Sequence, residues 1–109
     1  MIDDPQLLDA QGASEGLQDT CRRFGVRRLD LFGSAATGNG FDAERSDLDF
    51  LVAFEPRPPA EYAEAYFGLR EALEALSGRS IDLLTEAALE NPYLRRRVEA
   101  ERRTLYRSS

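Results

Sequence analysis

The chain of 109 residues contains no histidine and no lysine, and Cys21 is its only cysteine. Without histidine there is no Ser-His-Asp chemistry, no imidazole base and no histidine-ligated zinc. Every basic residue is arginine, which excludes a Walker P-loop, a Schiff base and a lysine nucleophile. A single cysteine excludes an internal disulfide and a cysteine-built metal site, and Cys21 reads as core. No segment approaches the apolar length that spans a bilayer, and Met1-Ile2-Asp3-Asp4-Pro5 has neither the basic nor the apolar part of a secretory signal. The expectation is a cytoplasmic protein with no membrane partner. A net charge of −6 lacks the basic footprint of a general nucleic-acid binder, so direct nucleic-acid binding is not expected. Acid also suits a cation-holding site or a basic partner. Carboxylates, hydroxyls, arginines and backbone amides are what remain for chemistry.

The length suits one domain with a single core. Residues 1–11 are weakly patterned and read as an N-terminal arm or a short helix, and residues 12–109 as the domain. Ser14 is placed to cap a helix with Leu17, Cys21 and Phe24 on one stripe, stopped by Gly25. Residues 27–32 read as a strand with Leu29 and Leu31 on one face and Asp30 and Phe32 on the other. Asp30 is expected at a strand edge or in a cap, with a place in an acid site as the alternative. Residues 33–38 turn into a short helix, residues 39–45 form a polar loop, and residues 47–54 make a second strand. Residues 48–54 of that strand are apolar on both faces except at Asp49, which implies a central position. Pro56, Pro58 and Pro59 set up a helix carrying Tyr62, Ala65, Tyr66, Leu69, Leu73 and Leu76 on one stripe, ended by Gly78. A short third strand contains Asp82, and Asn91-Pro92 starts an arginine-rich helix with Leu94 and Val98 as its core contacts. That helix reads as a solvated face, with a partner or RNA contact as the alternative. Residues 104–106 add an edge strand or pack the tail. The order implies an α/β fold, helices on a small sheet.

Two features carry chemistry. Asp47 and Asp49 open the second strand one residue apart, so their side chains share a face roughly 7 Å apart along it. Two carboxylates inside an apolar strand are costly unless they are paired or bind a metal. Arg45 offers the salt-bridge alternative. Asp82 is a third acid beside apolar neighbours, and the three converge if the second and third strands are adjacent. Oxygen ligands without histidine suit Mg²⁺ or Mn²⁺, and two such ions clamp the attacking and leaving oxygens of an in-line displacement. The second feature is Gly33-Ser34, where a strand turns tightly into a helix start. Backbone N–H groups and the Ser34 hydroxyl there suit phosphate.

Leu31-Phe32-Gly33-Ser34, a polar spacer, Ser46-Asp47-Leu48-Asp49-Phe50-Leu51-Val52 and Ile81-Asp82-Leu83-Leu84 together resemble the DNA polymerase β-like nucleotidyltransferase superfamily. The likeness is strongest to its minimal nucleotidyltransferases (MNT proteins) and runs from about Arg27 to Tyr106. It implies a small mixed β-sheet flanked by helices. It implies Gly33 and Ser34 as the triphosphate contact, Asp47 and Asp49 as ligands to two catalytic Mg²⁺ ions, and Asp82 as the third carboxylate. The co-substrate is then ATP or another NTP, whose α-phosphate an acceptor hydroxyl attacks with release of pyrophosphate. Many relatives carry arginine in the turn after Gly-Ser, whereas this chain has Ala35-Ala36-Thr37-Gly38. A cationic phosphate contact is then missing, or comes from Arg45 or a partner. With nothing after Tyr106 to build an acceptor-holding domain, the acceptor is expected on a second chain or as a small molecule. Minimal members resemble antitoxins that adenylylate a HEPN-type toxin, which makes an antitoxin acting by AMP transfer the leading expectation. A non-catalytic antitoxin and a small-molecule transferase of the aminoglycoside-modifying kind are the alternatives.

Overall fold

A computed structural model describes residues 8–9, 12–37 and 47–108, with Leu8, Asp9, Gly12, Ser34 and Ala35 as backbone alone. Arg45 and Ser46, and the polar loop at 39–45, lie outside the described residues. Two short strands, β1 (Leu8–Asp9) and β2 (Gly12–Ala13), pair antiparallel across the boundary drawn between arm and domain. Ser14 then caps α1 (Glu15–Arg23), its Oγ accepting from the Leu17 N–H at 3.1 Å, and Leu17 and Cys21 face inward without exposure.

The strands that follow are β3 (Val26–Phe32), β4 (Leu48–Phe54), β5 (Ile81–Thr85) and β6 (Arg103–Arg107). They form one sheet in the order β5-β4-β3-β6, parallel between β4 and β5 and antiparallel elsewhere. The sheet is mixed, and β4 is interior, as its two apolar faces imply. A parallel neighbour needs a crossover, which α3 (Pro59–Ser77) supplies. Pro59 stands at its first turn and Gly78, at φ 67°, ends it. After β5 a 3₁₀ turn (Glu86–Glu90) leads to α4 (Pro92–Glu101). The Asn91 side chain accepts from the Tyr93 and Leu94 N–H groups and so sets where α4 begins.

The strand alternation divides the core between the two faces of the sheet. On one face α1 and α3 cover Leu29, Leu31, Phe50, Val52 and Leu83 with Leu17, Leu69 and Leu73. On the other, α4 and the 3₁₀ turn cover Phe32 and Leu51 with Val98, helped by Leu84, Leu89 and Leu94. Val98 is the one buried side chain on α4, so that helix is anchored by a single wedge worth roughly 2 kcal/mol. Asp30 lies on this second face and is 1% exposed. It occupies neither a strand edge nor a cap, because pairing with β6 makes β3 interior. Its carboxylate accepts from Arg28 Nε at 3.1 Å and from Arg102 Nε at 3.1 Å and Nη2 at 2.5 Å. Among the described residues no helix is long and apolar enough to cross a membrane.

Candidate active site

The β4–β5 register decides where the acids meet. Asp49 stands directly opposite Asp82, and in the β3–β4 ladder it stands opposite Phe32. Neighbouring strands lie about 4.8 Å apart, so Asp49 and Asp82 emerge side by side on the face that α4 covers. The ladder is fixed at its start by the Leu48 N–H, which donates to Ser80 O at 3.1 Å. From the other face, the Tyr66 hydroxyl donates to Leu83 O at 2.6 Å and ties α3 to the strand that carries Asp82. Asp47 sits just before β4, exposed, as is Asp82, while Asp49 is half-buried.

Electrostatics bind these residues into one group. Burial raises the Asp49 carboxyl above the usual carboxylate range, and the Asp82 charge raises it further. Arg97 opposes that shift, whereas Asp47 and Glu101 add to it. Three carboxylate charges thus act on Asp49 against one guanidinium, an arrangement that a cation would relieve. The donor set, carboxylate oxygen throughout, fits a hard divalent ion such as Mg²⁺. Among the described residues no three acidic or cysteine side chains stand at metal-holding distance.

Gly33 closes the other side of the site. Its φ of 75° is open to glycine at little cost, and a Cβ there would run into Asp49 Oδ2 and stand 3.3 Å from Arg97 Nη2. From Gly33 the chain enters α2 (Ser34–Thr37), with the Ala36 and Thr37 N–H groups donating to Gly33 O at 3.1 and 3.2 Å. The turn, the strand acids and one arginine therefore share a single corner. Asp30, the sequence's alternative member, is not among them. A cleft at the opposite end of the same sheet face is lined by Arg28, Asp30, Ala53, Glu86 and Leu89 and shares no residue with this corner.

The sequence matches the nucleotidyltransferase domain family over residues 13–105. The chain belongs to that family. It is a nucleotidyltransferase of α/β fold, and two curated relatives are named for this chemistry. A candidate protein adenylyltransferase of Methanocaldococcus jannaschii is 34% identical over 79 residues, covering 72% of this chain and 76% of the relative. Protein adenylyltransferase MntA of Thermococcus cleftensis is 41% identical over 69 residues, covering 63% and 65%. Among solved structures, a candidate minimal nucleotidyltransferase is 41% identical with a TM-score of 0.58 over 78% of this chain and 81% of that one. A chain in the complex of tri-AMPylated Shewanella oneidensis HEPN toxin with MNT antitoxin shares the fold at 18% identity, with a TM-score of 0.55 over 83% and 66%.

Two residues of α4 that the sequence does not single out, Arg97 and Glu101, also bear on Asp49. Both were assigned to a solvated helix. The usable signal was Val98: once α4 is folded back with Val98 against the sheet, the position beside it faces the end of that sheet.

Proposed function

We propose that this nucleotidyltransferase moves AMP from ATP, with Mg²⁺, to a hydroxyl of a partner protein, and that it serves as the antitoxin of a HEPN-type toxin. The observation that carries the proposal is the alignment of Asp49 with Asp82 on adjacent parallel strands, against the Gly33 turn. A protein acceptor is supported by the relatives named as protein adenylyltransferases and by the fold shared with a HEPN–MNT complex. An acidic chain also suits a basic, RNA-cutting partner.

Asp47 and Asp49 would hold two Mg²⁺ ions and Asp82 one of them, with the exposed Asp47 and Asp82 turning toward Asp49 to complete the set. When bound, the ions would neutralise the carboxylates and clamp the attacking and leaving oxygens. Gly33 and Ser34 would supply the contact to the triphosphate. Asp82 takes the proton of the acceptor hydroxyl as its oxygen bonds to the α-phosphorus. The bond from that phosphorus to the bridging oxygen breaks, and pyrophosphate leaves.

Co-expression with a HEPN-type partner followed by incubation with α-labelled ATP tests this. Label is expected on the partner with Mg²⁺, and none with EDTA or after Asp47→Asn with Asp49→Asn. A double variant that neutralises the partner as well as the unmodified protein does would show that catalysis is not how the antitoxin acts.

A further inference from the structure

The turn after Gly33 carries no cation, since α2 reads Ser34-Ala35-Ala36-Thr37. An anionic triphosphate brought to this corner also faces Asp47, Asp49, Asp82 and Glu101. A positive side chain at the junction of turn and acids would offset that charge, and among the described residues the Arg97 guanidinium comes to it.

Arg97 is held in place although its side chain is half exposed. Its Nε donates to Glu101 Oε1 at 3.0 Å, one helical turn along. Its Cζ lies 5.7 Å from the centroid of the Phe32 ring, within cation–π range. Its Nη2 stands 3.3 Å from where a Cβ at Gly33 would be, a position that also abuts the Asp49 carboxylate. An exposed arginine left to water would sample many rotamers; the contacts with Glu101 and Phe32 confine this one. With Nε engaged by Glu101, the terminal nitrogens remain as a fork aimed at the turn, which matches the geometry of a phosphate.

We propose that Arg97 is a phosphate-binding cation of this nucleotidyltransferase, delivered from α4 to the Gly33 turn. The inference rests on the nucleotide-transfer reading above. In the free protein Arg97 partly neutralises Asp49. Once a divalent ion takes over that task, the guanidinium turns its free N–H groups to the triphosphate while Glu101 and Phe32 keep the stem in place. Glu101 is a positioning residue and makes no contact with substrate.

The test is equilibrium binding of Mg²⁺ with AMP-PNP, a non-hydrolysable ATP analogue, to the full chain. Arg97→Ala is expected to weaken binding about ten- to a hundredfold. Arg97→Gln, which keeps the stem over Phe32, shows the same loss and decides the matter should the alanine variant fail to fold. Arg96→Ala removes the same charge from the same helix and stays within about twofold of the unmodified protein. Glu101→Ala, which releases Nε, should weaken binding, whereas Glu101→Gln, which keeps an acceptor for Nε, binds as tightly or more tightly; unchanged binding in Glu101→Ala would overturn the positioning role. If the unmodified protein binds AMP-PNP and both Arg97 variants bind it within about twofold as well, the inference falls and the transferase reading stands. Failure of the unmodified protein to bind overturns both.

Discussion

Two aspartates on one face of the sheet meet opposite fates. Asp30, in β3, is almost wholly buried and satisfied by Arg28 and Arg102, which bring three hydrogen bonds to its carboxylate. Asp49, in β4, is half-buried under the charges of Asp82, Asp47 and Glu101, with Arg97 in opposition among the described residues. The first is a finished ion pair that holds β6 and the end of α4 to the sheet. The second is an unfinished one, and on the proposed function a bound cation would complete it. Val98 wedges between the two ends and keeps them apart.

Substitutions can break this contrast. The largest effect is expected from Asp49→Asn, which should slow AMP transfer about 10³-fold in excess Mg²⁺ while leaving the fold intact. Label transfer from α-labelled ATP measures it, and a loss of less than tenfold would remove Asp49 from the chemistry. At the other end, Arg102→Ala leaves the Asp30 carboxylate buried with Arg28 alone. It should cost about 3 kcal/mol of stability, read from the urea midpoint. Val98→Ala withdraws the wedge and should cost about 2 kcal/mol. Because Val98 neighbours Arg97, nucleotide affinity should fall alongside the stability.

The smallest effect is the most specific. The folded-state pKa of Asp49 lies above its unfolded value, so ionising it costs stability. That cost is complete above the folded pKa and absent below the unfolded one. In EDTA, Asp49→Asn should therefore melt higher than the unmodified protein at pH 7, and the gain should vanish below about pH 4. Asp30→Asn should do the reverse at pH 7 and lower the melting temperature, since it weakens a completed pair.

Much of this was legible along the chain. Apolar residues on both faces of β4 announced an interior strand, and Asn91-Pro92 announced the start of α4, because both signals are local. The meeting of Asp49 with Asp82 was legible only as a condition on strand order, which the α3 crossover satisfies. What stayed hidden depended on distant partners. Arg102 is 72 residues from the acid it satisfies, and Asp30 looked like an edge or capping residue until β6 was seen to pair beside it. Arg97 was read with its neighbours Arg95 and Arg96 as part of a solvated face. Helical periodicity shows which side of α4 is apolar, but not what lies beneath the rim of that side.

The crossover has a further consequence for the life of the chain. During synthesis Asp47 and Asp49 emerge early, on a strand that can pair at once with β3. Asp82 joins them only after the 19 residues of α3 have folded back and β5 has docked in parallel beside β4. A nascent or clipped chain would carry two of the acids and lack the third. On the proposed roles of the three acids, completion of the fold would act as the licence for the reaction, and an unfinished chain would have no means of spending nucleotide.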